Sequence, residues 1–274
     1  MKKLIAFILL VVSVVLGACS DGSASGKDDV IKLGLNGSGV PIWEEVKKKA
    51  ADEGIEIELV EFSDYVRPNQ ALADGDIDLN AFQTVSYFDA FIKEHDLDLA
   101  PIGTTVIAPM GIYSEKYEDV KDIPEGSKVA LPKEATNMGR ALLLLEQAGL
   151  IGLPDDFDGN GAIEKVEENP KNLQLEPIVA AQTPRVLPDV AISIINNGVA
   201  VEAGFTPVED AIFIEDDTAK PYINIIASRA DETDKEAYQT IVDIYQSEEI
   251  EQAIIEKYNN SLIPTFVPLE EIGW

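Results

Sequence analysis

The sequence predicts an α/β fold, and three observations indicate it. Short apolar runs of strand length alternate with amphipathic helical patterns along most of the chain. Apolar residues make up 46% of the composition, which is enough for a packed core and excludes general disorder. The 274-residue length allows two domains or one large domain. Because strands and helices alternate, we expect largely parallel sheets.

The first predicted elements form a β-α-β unit. A strand over residues 30–35 ends in a polar, glycine-rich turn, and Pro41 opens a helix that runs to about residue 53. A second strand follows over residues 55–59, where apolar residues alternate with acids. A short helix and a third strand, over residues 77–82, continue the pattern.

The same order returns later in the chain. A strand over residues 128–131 leads through a loop to a helix for which Asn137 is the predicted N-cap. The remaining predicted elements are strands at 178–180, 190–195 and 223–227 and one long helix over about 234–258.

The N-terminus has the pattern of an export signal. Two lysines precede an uncharged apolar run over residues 4–16, which is too short to span a bilayer. Leu16-Gly17-Ala18-Cys19 resembles a lipobox, so we expect a signal peptide over residues 1–18, lipidation of Cys19 and a tether over residues 19–29. This places the protein at the cell membrane, lipid-anchored and facing outside the cytoplasm. The alternative is an ordinary cleaved signal with an incidental cysteine.

Composition disfavours several functional classes. The net charge of −29 repels nucleic acid and anionic lipid headgroups. Cys19 is the only cysteine, which excludes an intrachain disulfide, and His95 is the only histidine. One histidine and one cysteine make a zinc or copper site improbable. No nucleophile elbow, Walker loop or dinucleotide fingerprint is present, so no catalytic residue, metal site or cofactor is predicted. The protein is expected to be a monomer.

Arg140 is the most informative of the four arginines. It is predicted to lie in the first turn of a helix, where free N–H groups and the helix dipole favour an anion. A guanidinium there could form a two-pronged pair with a ligand carboxylate. A surface ion pair is the alternative.

Residues 156–167 fit the spacing of an EF-hand calcium loop. Glycine stands at position 6, and oxygen-bearing side chains stand at the ligand positions: Asp156, Asp158, Asn160, Glu164 and Glu167. Prolines on both sides interrupt the helices that such a loop needs. Both a weak calcium site and a solvated acidic loop therefore remain open.

Several longer stretches resemble the methionine-binding lipoprotein family of ABC importers, which includes the NlpA lipoproteins. In chain order they are residues 65–78, 80–83, 108–114, 136–145, 168–173 and 221–226. They cover nearly the whole chain after the signal peptide. The resemblance implies a two-lobed, periplasmic-binding-protein-like (type II) fold with a ligand cleft between lobes. Residues 30–110 and 227–274 would form lobe 1 and residues 111–226 lobe 2, with crossings near 109–113 and 224–227.

The resemblance also implies a binding site. Arg140 would bind the ligand carboxylate, and Asn224 would contact its polar amino-acid end. Tyr65 and Phe82 would line the apolar pocket, although both could be plain core aromatics.

Three positions depart from the family pattern. Thr84 stands where the family usually has histidine, Gly198 where it has asparagine, and Val199 where it has tyrosine. All three changes shrink side chains, so a roomier cleft is expected, with Thr84 and Gly198 setting selectivity.

Taken together, the resemblance implies a non-catalytic binding protein that delivers a solute to an ABC importer permease. The expected solute is L-methionine or a closely related amino-acid-like molecule. A methionine-containing dipeptide or another small carboxylate is the alternative. An enzyme on the same scaffold and a calcium-stabilised surface adhesin are two further readings.

Overall fold

The computed structural model describes residues 30–216 and 220–274. The predicted signal peptide, Cys19 and the tether lie outside the described residues. Within the described ranges, no helix combines the length and apolar character that crossing a membrane requires.

Two β-sheets organise the fold, one in each lobe. The first has six strands in the order β11-β4-β10-β3-β1-β2, and the second has five in the order β7-β6-β8-β5-β9. The strands are β1 (Ile31–Leu35), β2 (Ile57–Glu61), β3 (Leu79–Thr84), β4 (Leu99–Ile107), β5 (Gly111–Tyr113), β6 (Lys128–Pro132), β7 (Gln174–Ile178), β8 (Ile192–Ile195), β9 (Phe213–Ile214), β10 (Ile223–Arg229) and β11 (Ile263–Pro264).

Both sheets are mixed, so the expectation of largely parallel sheets is wrong. Strand β1 pairs in parallel with β2 and β3, and β6 pairs in parallel with β7 and β8. Strand β10 is antiparallel to both β3 and β4, and β5 is antiparallel to β8 and β9. Parallel neighbours need a crossover connection, whereas β5 and β10 are entered directly from the other sheet.

The described helices are α1 (Val40–Asp52), α2 (Arg67–Asp74), α3 (Val85–His95), α4 (Ala135–Gln147), α5 (Asn197–Glu202), α6 (Pro207–Asp210), α7 (Glu236–Tyr245) and α8 (Glu248–Lys257). The single helix predicted over residues 234–258 is wrong, because α7 and α8 replace it. The Ser247 side chain accepts a hydrogen bond from the Ile250 amide at 3.4 Å and so begins a new helix.

Separate apolar clusters hold the two lobes. In lobe 1, Trp43, Val46 and Ala50 of α1 are buried against the first sheet, as their spacing predicted. Helices α2 and α3 contribute Leu72 and Phe88 to a second cluster of that lobe. In lobe 2, α4 is buried over most of its length, and its apolar residues pack in the cluster of the second sheet. Each sheet therefore has its own core, and the space between the lobes is free for a site.

The chain crosses between the sheets twice. It leaves the first sheet after Ile107, enters the second at Gly111, and is back in the first by Ile223. The return predicted at residues 224–227, and with it the 226/227 lobe boundary, falls inside β10. Strand β4 was not predicted, because a proline and two threonines interrupt its apolar pattern. The exact lobe limits stay a prediction.

Candidate ligand-binding site

A cavity of about 130 Å³ lies where the two lobes meet. Its wall combines residues of the first sheet and α1 with residues from the start of α4 and α5. A single water needs at least about 10–15 Å³ of such space and takes about 30 Å³ in the liquid, so the cavity is several times larger than a site for one water. It is large enough to be a candidate site for a small solute.

Arg140 lines the cavity, and part of its guanidinium is already paired within the protein. Nε donates to the Glu215 carboxylate oxygens at 2.9 and 3.1 Å, and Nη2 donates to Glu215 Oε2 and, at 3.0 Å, to the Ala108 carbonyl. The Met110 amide donates to the same carboxylate at 3.1 Å. The Tyr222 ring lies under the guanidinium, 4.3 Å from Cζ to ring centroid. Among the described residues no group accepts from Nη1, so this nitrogen is left to the cavity.

This pairing differs from the prediction for Arg140. The two-pronged carboxylate pair expected with a ligand is made with Glu215 inside the protein. Both side chains are buried, with Arg140 3% and Glu215 7% exposed. An unpaired buried charge is strongly destabilising, so Glu215 is the partner that allows Arg140 to be buried here.

The start of α4 also differs from the prediction. The helix begins at Ala135 with Glu134 at the N-cap position, so the prediction that Asn137 caps it is wrong. The Asn137 side chain instead accepts a hydrogen bond from Asn196 Nδ2 at 3.0 Å, which holds it away from the helix end. Arg140 consequently lies in the second turn of α4 and not in the first.

Aromatic side chains also line the cavity. Tyr65 and Phe82 both line it, with ring centroids 6.0 Å apart. Tyr87 of α3 completes the group, 6.3 Å from each, and donates a hydrogen bond from its hydroxyl to the Tyr65 carbonyl at 2.8 Å. Burial raises the pKa of Tyr65 and of Tyr87, which keeps both rings neutral.

Asn224 and Thr84 are neighbours across the first sheet and both line the cavity. They are paired residues of β10 and β3. Asn224 Nδ2 donates to the Val106 carbonyl at 3.1 Å. The side-chain oxygen of Asn224, Oδ1, is therefore the group that can accept a hydrogen bond from a ligand. The Thr84 hydroxyl accepts from the Tyr87 amide at 3.3 Å and caps α3, a structural role that the sequence did not indicate.

Gly198 lies against the opposite lobe. A Cβ built on Gly198 would be 2.7 Å from Ser38 Oγ, so the space is already filled by the serine. The Ser38 amide donates to Glu202 of α5 at 3.0 Å, and its carbonyl accepts from the Tyr258 hydroxyl at 2.5 Å. The roomier cleft expected at Gly198 is therefore wrong, because Ser38 of lobe 1 occupies that room.

Comparison with known proteins shows the family of the chain. The sequence profile of the family described as NlpA lipoprotein matches residues 31–266. The chain belongs to the NlpA lipoprotein family. It is 40% identical over 266 residues to the D-methionine-binding lipoprotein MetQ of Yersinia pestis, covering 96% of this chain and 97% of the relative.

Solved structures of similar proteins share the fold. Protein PG110 from Staphylococcus aureus superposes with a TM-score of 0.86 at 42% identity, over 88% of this chain and 96% of that one. A methionine-bound nutrient binding protein from Burkholderia cenocepacia gives a TM-score of 0.84 at 40% identity, over 86% and 100%. The two-lobed fold and the family that the sequence predicted are thereby confirmed.

The acidic loop of this NlpA family member does not have the geometry of an EF-hand. Helix α4 has ended before it, and only a 3-10 turn (Ile163–Lys165) follows within it. No group of three or more histidine, cysteine, aspartate or glutamate side chains in the described residues could hold a metal ion. Gly159 of the loop instead packs on α4, where its carbonyl would lie 2.0 Å from a Cβ built on Gly139.

Four site residues of this chain were missed by sequence reasoning. Glu215 is one acid among fifty, and nothing in its local pattern distinguishes it. Tyr222 lies two residues before Asn224, and Tyr87 lies three residues after Thr84. This closeness to predicted ligand contacts was the only sequence feature that could have identified them. Ser38 lies in the turn after β1, and the meeting of two lobes alone brings it to Gly198.

Proposed function

We propose that this chain is a lipid-anchored solute-binding protein of an ABC importer that binds L-methionine or a closely related amino-acid-like solute. The observation that carries the proposal is the cavity between the lobes, whose wall combines several aromatic side chains with a buried arginine. The similarity to a methionine-bound protein and to D-methionine-binding lipoproteins supports the same ligand class. We assign the chain no catalytic role.

Different cavity residues contact different parts of the proposed ligand. Arg140, through Nη1, binds the ligand carboxylate, and the free carbonyl of Asn224 contacts the polar amino-acid end. Tyr65, Phe82 and Tyr87 receive the apolar side chain, since a thioether sulfur makes favourable contacts with aromatic rings. Thr84 and Gly198 shape the wall and contribute to selectivity.

The proposed setting is the outer face of the cell membrane. Cys19 carries the lipid, and the folded chain delivers its ligand as a monomer to the importer's permease. Replacing Cys19 with serine should release the protein from membranes or leave the precursor uncleaved. Cys19→Ser fractionating with membranes as wild type does would show that the anchor is not a lipid on this cysteine.

Native mass spectrometry of gently purified protein tests the proposed function. A co-purified amino acid of methionine type, released on unfolding, is the expected result. A bound dipeptide would assign a larger solute to the same cleft. Products accumulating from a bound solute would instead indicate an enzyme, and calcium as the only bound species would indicate a calcium-stabilised surface protein.

A further inference from the structure

Three buried amide side chains of lobe 1 hydrogen-bond to one another. Asn69 lies on α2, and Asn80 and Gln83 lie on β3. Asn69 Nδ2 donates to Gln83 Oε1 at 2.7 Å, and Gln83 Nε2 donates back to Asn69 Oδ1, also at 2.7 Å. Asn80 joins both, because its Nδ2 donates to Asn69 Oδ1 at 2.9 Å and its Oδ1 accepts from Gln83 Nε2 at 3.0 Å. We call these three residues the amide cluster.

The amide cluster satisfies its own members. Each of its three side-chain oxygens accepts a hydrogen bond and each of its three nitrogens donates one. All three residues are buried, so these bonds replace the water that the amides lose on folding. Hydrogen bonds are directional, and a fully satisfied buried network specifies one arrangement where apolar packing alone would tolerate several. The cluster therefore fixes the position of α2 on β3.

The amide cluster also spans an irregularity in β3. Asn80 pairs with Ala227 of β10, and Gln83 pairs with Ile225. The chain takes three steps along β3 against two along β10, so β3 carries one extra residue, as in a β-bulge. In a regular strand residues 80 and 83 would point to opposite faces. The extra residue lets both amides point the same way and meet, and Phe82 lies inside the segment that they close.

On its other side the amide cluster is connected to Tyr65. Asp64 Oδ1 accepts hydrogen bonds from the backbone amides of residues 66 and 67, both at 2.9 Å, which ties Tyr65 to the first turn of α2. Asn69 lies in that same turn. The cluster thus holds the segment that bears Tyr65 against the strand that bears Phe82. These are the two rings that lie 6.0 Å apart in the cavity wall.

We propose that Asn69, Asn80 and Gln83 are positioning residues that set the spacing of Tyr65 and Phe82, and with it the length of the apolar side chain that the cavity accepts. This inference rests on the proposed function, in which the two aromatic residues receive that side chain. Gln83 borders the cavity, but its amide is engaged by the other two members. The cluster acts through the aromatic rings and not by contact with the ligand.

Calorimetric titration of an Asn69→Leu variant tests the proposal. The probes are L-methionine and L-2-aminobutyrate, which have the same amino and carboxylate groups and differ in side-chain length. The wild-type protein should prefer L-methionine, and the variant should lose about tenfold of that preference, because an apolar pocket distinguishes side chains of different length by its fit. A folded Asn69→Leu protein with the wild-type ratio of affinities would overturn the proposal.

Asn169→Leu is the matched control. The Asn169 amide is part-buried and makes two hydrogen bonds with the Leu173 backbone, but it belongs to lobe 2 and does not line the cavity. Loss of these bonds should lower the melting temperature and leave the ratio of affinities unchanged. An equal change of the ratio in this control would show that lost stability alone alters it, and would contradict the proposal.

A double-mutant cycle separates positioning from direct contact with the ligand. Gln83→Leu breaks the same amide pair as Asn69→Leu, so the double variant should change the ratio no more than either single variant. Additive effects would show that Gln83 acts on the ligand by itself, against the proposal. Where Asn69→Leu fails to fold, Asn80→Ser takes its place. It keeps the Asn69–Gln83 pair and should change the ratio less but in the same direction, and an unchanged ratio would again overturn the proposal.

A crystal structure of the ligand-free Asn69→Leu variant distinguishes this proposal from the proposed function. The Tyr65–Phe82 ring separation should differ from that of the wild-type protein by more than about 0.5 Å, the tolerance of a well-supported site. If the rings move but the wild-type protein binds neither probe, the assigned solute is wrong and the positioning role stands. If the rings keep their wild-type separation, the positioning role is wrong whatever the protein binds.

Discussion

Arg140 and Glu215, 75 positions apart in the sequence, form a buried ion pair at the wall of the interlobe cavity, with Nε and Oε1 2.9 Å apart. Glu215 follows β9 at the start of the return to lobe 1, and Ala108, which accepts from the same arginine, lies on the outward crossing. The guanidinium is therefore held by both crossing segments. Any change in how the crossings meet would therefore move the Arg140 guanidinium within the cavity wall.

The first prediction concerns this pair. Glu215→Leu leaves Arg140 buried without a counter-charge and should lower the free energy of unfolding by about 3–5 kcal/mol. Arg140→Met combined with Glu215→Leu removes both charges and should recover most of that stability, because an apolar pair of similar size is often neutral. Urea unfolding measures both effects.

Ligand titration of the same double variant separates stability from binding. It should lose about 2–5 kcal/mol of binding free energy, since no guanidinium remains for the carboxylate. Binding as tight as wild type in a stable double variant would contradict a ligand role for Arg140.

The second prediction concerns the contact between Gly198 and Ser38. Gly198→Ala places a Cβ 2.7 Å from Ser38 Oγ and forces the serine out of its position. We expect this displacement to cost about 1 kcal/mol of ligand-binding free energy, which is about a fivefold loss of affinity. Ser38→Ala removes the Oγ and leaves only a 3.5 Å contact, so Gly198→Ala should be nearly neutral in that background. Additive losses in this cycle would show that the two residues do not meet.

The same contact changes what restoring the family pattern would do. Thr84→His with Gly198→Asn should favour free L-methionine only if Ser38 is also reduced to alanine. Thr84→His also removes the cap of α3, at about 1 kcal/mol. A double variant that binds L-methionine more tightly without a change at Ser38 would contradict this account.

The third prediction concerns the packing of the acidic loop on α4. Alanine is the better helix former, and by propensity alone Gly139→Ala would stabilise the helix by about 1 kcal/mol. The new Cβ would instead lie 2.0 Å from the Gly159 carbonyl oxygen, which belongs to backbone and cannot rotate away. We expect a net loss of about 1–3 kcal/mol, or about 2–10 °C in melting temperature.

Gly37→Ala is the matched control for that experiment. A Cβ there meets its first neighbour at 3.5 Å, an ordinary contact, so the melting temperature should change little. A Gly139→Ala protein that melts at or above the wild-type temperature would show that the loop does not pack on α4 as described.

The fourth prediction is a loss of stability in alkali. Burial raises the pKa of several tyrosines and raises that of Tyr258 to about 12. The others are Tyr65, Tyr87, Tyr113, Tyr222, Tyr238 and Tyr245. Below pH 10 these hydroxyls are protonated in both states. Above it the unfolded chain releases their protons while the folded chain keeps them, so the free energy of unfolding falls.

Each buried tyrosine contributes up to about 1.4 kcal/mol per pH unit in this range. Urea unfolding between pH 9 and pH 11.5 measures the fall. Tyr258→Phe removes one contributor and should make the fall shallower. A stability that stays constant from pH 9 to pH 11.5 would contradict these shifts.

Short-range apolar spacing in the sequence predicted individual helices and their buried faces. The apolar spacing of Trp43, Val46 and Ala50 identified α1 and its buried face, since a helix repeats every 3.6 residues. Arg140, Asn224, Tyr65 and Phe82 were chosen through a family resemblance, and all four line one cavity. Their roles toward a ligand remain proposals.

The parts that were not predicted depend on long-range contacts. Whether a helix pattern contains one helix or two depends on a single cap, as Ser247 shows. Glu215 could not be identified among fifty acids, because only the return crossing brings it to Arg140. Ser38 and Gly198 come from different lobes and meet only in the folded protein. Glycine at position 198, where the family usually has asparagine, therefore does not enlarge the cleft, because Ser38 fills the space.

The most direct test of the central claim is calorimetric titration of ligand-stripped protein with L-methionine. The account predicts saturable binding at one site per chain, abolished by removal of the Arg140 guanidinium in the Arg140→Met, Glu215→Leu double variant. A folded, ligand-stripped protein that shows no heat of binding with L-methionine or any related amino acid or methionine dipeptide would contradict it.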